Sequence, residues 1–362
     1  MHAVAEEELS EVLKELLNAL DVDELQAYLD EHRTISYRSV SAVLSELLSG
    51  DLHLNYDSFL SFLSDVLLSD FKGILSAFSA ISAILILCGI LKQCKGSLLS
   101  DVTFQAVYFA AYLAILLLLF SMISGVAEKT ISCVLSIRKQ MDLCFPLLMT
   151  LMAASGGSVS VGIYRPAVAF LSNGLSSLVL HFVFPGATAL LVMTVVGGLS
   201  QELKLKEMQG VLKSALKWVL GISLSVFTVF LSVQGIASAQ YDGISFKAIK
   251  YAIGNSVPIV GGFLSGEWDL TVAGSILLKN SVGILGILLI LMEIGTPIVL
   301  LFALDLLLNL SSSIASLICP DFCGVFHDLI GSLHYFLAGI LCVSFFYFLT
   351  ILLMICSCSV IF

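Results

Sequence analysis

Charge is what this chain has least of. Asp, Glu, Lys and Arg make up 12% of its residues, hydrophobic residues make up 58%, and the mean hydropathy is +1.03. A chain this apolar is too oily for a water-soluble core and belongs in a membrane. It has no basic tract, which excludes nucleic acid as a partner. Catalytic signatures are missing as well: there is no nucleophile elbow, phosphate loop, HExxH or paired metal-ligand motif. An intramembrane hydrolase is set aside for want of a dyad. The chain is therefore read as non-enzymatic, with no cofactor and no metal. Its nine cysteines form no disulfide framework. Cys88, Cys342, Cys356 and Cys358 lie inside apolar runs, where a thiol behaves as a small hydrophobe. Cys319-Pro-Asp-Phe-Cys323 with His327 is spaced more loosely than a zinc knuckle, and no second ligand pair follows.

The charge that exists is unevenly placed. Residues 1–73 hold 15 acidic and 4 basic side chains, a net of −11, whereas residues 74–362 hold 12 and 13, a net of +1. The sequence thus divides into an acidic amphipathic-helical head, 1–73, and a nearly neutral, very apolar body, 74–362. In the head, Leu9, Val12, Leu13, Leu16, Leu17 and Leu20 recur at helical spacing, and Leu25 and Leu29 repeat the style over Asp21 to Arg33. Two more short helices are expected between Ile35 and Phe71, broken at Ser49-Gly50. Two uses of these leucine faces are open: packing on one another, or docking a partner.

The body reads as a series of spans. Gly73 to Leu91 and Phe104 to Ile123 each approach the ~20 apolar residues a bilayer needs. Lys92 and Lys95 between them belong on the cytoplasmic side, which would put the head outside. Further spans are expected over His181 to Leu199, Trp218 to Ala237, Val282 to Leu310 and Leu329 to Ser357, for eight crossings or fewer. Gly125 to Asp142 and Gln201 to Lys217 are amphipathic and read as interfacial helices, able to receive a partner or to shield the membrane boundary.

Two stretches are apolar yet interrupted. Leu143 to Leu180 carries Pro146, Gly156, Gly157, Gly162, Pro166 and Gly174, with Arg165 and Asn173 embedded. Ser232 to Gly283 carries eight glycines, Pro258 and the pair Lys279-Asn280. Gly235 reads there as a helix C-cap, and Pro258 to Gly261-Gly262 as a break. The second stretch is either a tight loop between two ordinary spans or a re-entrant hairpin buried against other helices, and whether both broken regions cross fully sets the number of crossings. An offset of 112 maps Pro146 onto Pro258 and Pro185 onto Pro297 and repeats the same order of elements, which suggests an internal parallel repeat. Pro146, Gly156, Gly157, Pro258, Gly261, Gly262, Lys279 and Asn280 are accordingly the candidate broken-helix and interface residues.

Ionisable side chains within apolar runs are the other clue, because they are costly there. Arg165, His181, Glu293 and Asp305 are the candidates, with three readings open: a conducting or proton-coupled role, a structural ion pair or hydrogen bond, or a place at the lipid boundary. Glu293 and Asp305 stand about 120° apart on one helix, so they need not share a face.

The segments Ser232-Val-Gln-Gly235, DGISFKAIK from Asp242, PIVGG from Pro258 and LLKNSVG from Leu277, with Pro146 to Gly157 before them, resemble the stage III sporulation protein AE family of endospore-forming bacteria. The resemblance covers roughly residue 74 to the end. It implies a subunit of a multiprotein channel or secretion-like assembly in the mother-cell membrane facing the forespore. The partners it implies are other membrane and ring-forming proteins of the same operon, a secretion-type ATPase and a forespore-encoded protein. Members of that family commonly begin with a signal peptide, whereas Met1 to Leu20 has no apolar h-region. Either it has been trimmed from this sequence or Ile74 to Leu91 carries the head across as a reverse anchor. The expectation is an all-α, polytopic helical membrane protein with a small acidic helical head. A secondary transporter using Glu293 and Asp305 is the alternative.

Overall fold

The computed structural model describes residues 13, 15, 23–32, 39–49, 56–93, 100–199, 205–256 and 261–357. Among these there is no strand. Two short head helices, α1 (Asp23–His32) and α2 (Val40–Ser49), precede α3 (Tyr56–Gln93) and α4 (Asp101–Ala154). Helix α4 starts where Ser100 Oγ accepts from Thr103 N at 3.3 Å, and it runs for 54 residues through Pro146. It stops at Gly156, the one described glycine with positive φ, at 88°. There Gly157 N donates to Met152 O at 2.8 Å and Gly156 N to Ala153 O at 3.1 Å, the paired bonds of a Schellman turn. Only glycine adopts that φ without strain, so the chain reverses here rather than at the proline.

The return path is helical throughout. Helix α5 (Ser158–Ala169) passes through a π-turn (Phe170–Leu175), one α-turn (Ser176–Leu178) and a second π-turn (Val179–Val183) into α6 (Phe184–Leu199). Helix α7 (Leu205–Ser256) follows, then α8 (Gly261–Ile318), a 3-10 turn (Pro320–Phe322) and α9 (Cys323–Cys356). The helix end expected at Gly235 is absent. A glycine in a helix interior costs roughly 1 kcal/mol relative to alanine, too little to stop the apolar helix that leads into it.

Helix α8 is the axle, touching α2, α3, α4, α7 and α9. It runs antiparallel to α9. Near one end of the pair Cys323 Sγ reaches Ser312 O at 3.5 Å, and towards the other a Cβ on Gly283 would lie 2.5 Å from Ile355 Cδ1. Helix α4 runs parallel to α9, with Tyr108 and Phe322 rings 5.6 Å apart at one level and Phe145 and Tyr347 rings 5.2 Å apart at another. Gly89 brings α3 against Ile318, and Gly339 admits Phe184 of α6 to α9, where a Cβ would meet Phe184 Cε1 at 2.7 Å. Aromatic rings fill the space among these helices: Phe145, Phe184, Phe227, Phe336, Phe346 and Tyr347 are all fully buried.

Among the described residues six helices are long and apolar enough to cross a membrane: Lys72–Gln93, Val102–Ala154, Ser158–Gly198, Leu205–Val233, Thr271–Ile318 and Cys323–Cys356. The chain is a polytopic helical membrane protein. Three of its helices, of 54, 52 and 58 residues, reach about 80 Å at 1.5 Å per residue, well beyond the ~30 Å of one hydrocarbon layer. In α3 and α4 the stretches without charge, 73–91 and 102–127, begin at the same end of the bundle. At 1.5 Å per residue they extend about 29 and 39 Å, so each is long enough for one hydrocarbon layer. Their outer faces are oily, with Ile86, Leu87, Val107, Phe109, Leu117 and Phe120 exposed.

Candidate functional site

The polar side chains gather where long helices meet, in four groups. The first joins head to body. Leu25, Tyr28 and Leu29 of α1 are buried, and α1 packs on α4 while α2 packs on α8. Gln26 Oε1 accepts from Val40 N at 2.5 Å and ties the two head helices together. The Tyr28 hydroxyl accepts from Gln140 Nε2 at 2.8 Å and lies 3.3 Å from Ser136 Oγ, while Lys139 Nζ stands 5.4 Å from the ring centroid. Burial pushes the Tyr28 hydroxyl up to about 12, and the Glu293 carboxylate adds to the rise against the two hydrogen bonds. Glu293 itself is half-buried on α8, where its carbonyl accepts from Cys133 Sγ of α4 at 3.4 Å.

The second group flanks the two π-turns, a helical irregularity frequent at functional sites. Arg138 of α4 donates to Asn173 Oδ1 at 2.9 Å and to Ser177 Oγ at 3.4 Å, and His181 Nδ1 donates to Ser177 O at 2.9 Å. Ser176 Oγ reaches back to Leu171 O at 3.1 Å, following the wider turn.

The third lies between α7, α8 and α9. Lys213 Nζ pairs with Asp328 Oδ1 at 2.9 Å, and Tyr335 donates to Lys213 O at 3.0 Å. On the other side of α9, His334 Nε2 stands 3.2 Å from Asp305 Oδ1, off the line of a hydrogen bond, and Asn309 Nδ2 donates to Asp305 Oδ2 at 3.2 Å.

The fourth is a buried cap. Lys279 is fully buried and donates from Nζ to Ile355 O at 2.9 Å and to Ser357 O, at the C-terminus of α9. A cation there meets the negative end of the helix dipole. Beside it the Asn280 Oδ1 atom is buried without a hydrogen-bond partner.

The structure therefore separates residues that the sequence considered together. Asp305 meets His334, and Glu293 lies near the head. Arg165 and His181 are exposed on the α5–α6 rod, with His181 bonded within its own helix. Pro146 lies inside α4, Gly156 and Gly157 form the α4–α5 turn, Gly261 and Gly262 open α8, and Pro258 lies outside the described residues. Tyr28 with Gln140 and Lys213 with Asp328 pair across more than a hundred residues, so the sequence shows the charges of Lys213 and Asp328 but not their partners. Among the described residues no group of three or more His, Cys, Asp or Glu is placed to hold a metal.

Comparison with known proteins agrees with the ordered motifs. Stage III sporulation protein AE of Bacillus subtilis (strain 168) is 23% identical over 317 residues, which cover 86% of this chain and 79% of that protein. No solved structure matches the chain. The model of the stage III sporulation protein AE family matches residues 38–358, nearly the whole body and the second half of the head, and the chain belongs to that family.

Proposed function

We propose that the chain is a non-enzymatic membrane subunit of a multiprotein channel or secretion-like complex linking mother cell and forespore, seated in the mother-cell membrane around the forespore. The observation that carries this is the family match across residues 38–358 of a polytopic helical body. The polar contacts are in keeping with it, because each described group ties one helix to another, head to body included, and suits a scaffold held in a fixed shape. The partners are other membrane and ring-forming proteins of the same operon, a secretion-type ATPase and a forespore-encoded protein, together with membrane lipid. A tagged chain solubilised from sporulating cells is expected to bring down the ATPase and ring proteins. A chain that purifies as an isolated monomer at every stage of sporulation rejects the proposal.

The carrier alternative draws on one specific contact, the Asp305–His334 pair within the candidate spans of α8 and α9. Its other acid, Glu293, stands twelve residues away with different neighbours. Asp305→Asn and Glu293→Gln separate the readings: a carrier loses function in both variants while assembly persists, whereas a scaffold keeps function wherever co-purification survives.

A further inference from the structure

The two sides of the bundle differ at the same depth. From the end where α3, α4, α8 and α9 meet, α3 and α4 present no ionisable side chain outward over their charge-free stretches, and Leu87 and Phe120 are among the large apolar side chains exposed there. Over that same depth the outer face of α8 and α9 carries ionisable and amide side chains beside the exposed Phe302, Leu306, Leu310 and Leu317. Asp305 lies thirteen residues before Ile318, about 20 Å from that end, and His334 lies eleven residues after Cys323, about 17 Å from it. The His334 side chain is 60% exposed and that of Asp305 27%. Asn309 and Ser313 continue the exposed stripe along α8, one and two turns on. On α9, Gly331 lies on the same outward side, and a Cβ built there would meet nothing within 4 Å. An acid, an amide and an imidazole facing hydrocarbon at mid-depth are costly, and polar groups at such depth face protein or water.

We infer that this α8–α9 face is a contact between two copies of the chain within the membrane. The charges on the face select that occupant. Acid and imidazole stand across the groove between two antiparallel helices at matched depth. A two-fold axis along the membrane normal preserves depth and sets α8 of one copy against α9 of the other. Asp305 then faces the second copy's His334 and His334 the second copy's Asp305, so the surface is complementary to itself. Open backbone at Gly331 lets the second pair of helices approach closely. Neither a lipid nor an apolar helix offers the polar atoms that this stripe requires.

A photo-crosslinking side chain at Asn309, in a full chain otherwise unaltered, tests the contact in native membranes that carry two differently tagged copies. Illumination is expected to shift the 38.9-kDa chain to an adduct of twice that mass carrying both tags. The same group at Phe120, on the apolar side, is expected to give no such adduct. A probe at Ser313 repeats the measurement should Asn309 not tolerate replacement. The inference is overturned if Asn309 and Ser313 give adducts only with lipid or with a different protein, or if Phe120 yields the two-tag adduct equally. It is also overturned if Asn309→Cys is freely alkylated by a membrane-impermeant thiol reagent, which marks the face as water-lined. The result is independent of whether operon partners co-purify, since both tags report on this chain alone.

Discussion

Tyr28 is the residue on which the seating of the head depends most directly. Its hydroxyl bonds Gln140, a buried amide whose Oε1 already has no hydrogen-bond partner. Tyr28→Phe keeps the ring and removes the acceptor, stranding the amide nitrogen as well, at a cost of about 1 to 3 kcal/mol. Protease cleavage of the head in membranes is expected to speed up accordingly, with the body spared. The pH dependence has a definite sign. The docked state holds the Tyr28 hydroxyl at about 12, above its ordinary value of 10, so docking favours the neutral phenol. That contribution is complete below pH 10 and is lost as pH rises through about 12. The wild-type head should loosen over that window by more than the Tyr28→Phe head does, as read by hydrogen exchange of α1. Equal loosening of both would assign the transition to another group. Little of this contact is legible in the sequence. The helical spacing of Leu25 and Leu29 marks an apolar face, but nothing near Tyr28 points 112 residues ahead to Gln140.

At the scale of elements, the sequence is most informative where a local rule decides the outcome. Paired glycines at 156 and 157 suit a chain reversal because one of them takes a positive φ, and the chain does reverse there. Pro146 misleads, since a proline removes a donor without having to end a helix that is packed on both sides of it, and α4 continues to Ala154. The unusual length of α4, α7 and α8 is legible only in part. The hydropathy pattern marks apolar and amphipathic stretches separately, whereas the backbone joins them without a break. Lys279 shows the limit from the other direction: an odd lysine in an apolar run is easy to notice, but its partners are carbonyls 76 and 78 residues later. Its replacement has a defined consequence at this scale. Lys279→Met fills the space without donating, so Ile355 O and Ser357 O lose a buried partner. The last turn of α9 is expected to fray while α8 stays folded. Hydrogen exchange should rise over the last turn of α9 and remain unchanged near Phe346. Unchanged exchange throughout would mean that the cap contributes nothing to holding α9 in place.

At the scale of the whole molecule, the question is which part of an ~80 Å bundle lies in hydrocarbon only ~30 Å thick. Helices α3 and α4 answer together. Their charge-free stretches are bounded by Lys92 and Asp101 at one end and by Lys72, Glu128 and Lys129 at the other. The two helices run antiparallel from a common end, and their charge-free stretches of 19 and 26 residues, about 29 and 39 Å, each take in one hydrocarbon layer, with the boundaries staggered by about 10 Å in all. The alternative layer, further along the bundle, would immerse the exposed Glu128, Lys129 and Asp142 of α4. Each charge at the bilayer centre costs about 2.5 to 3.5 kcal/mol on insertion scales, so that layer is the more costly of the two. Single cysteines at Lys206 and Glu128, introduced after the native cysteines are replaced, decide between these layers. In intact cells a membrane-impermeant maleimide is expected to reach Glu128→Cys, and Lys206→Cys only after permeabilisation, since Lys92 and Lys206 lie at the end whose lysines belong on the cytoplasmic side. Reaction of both from one side, or protection of Glu128→Cys under all conditions, would move the membrane to the other half of the bundle. It would also remove the Asp305–His334 face from hydrocarbon, and with it the reason for a second copy to cover that face.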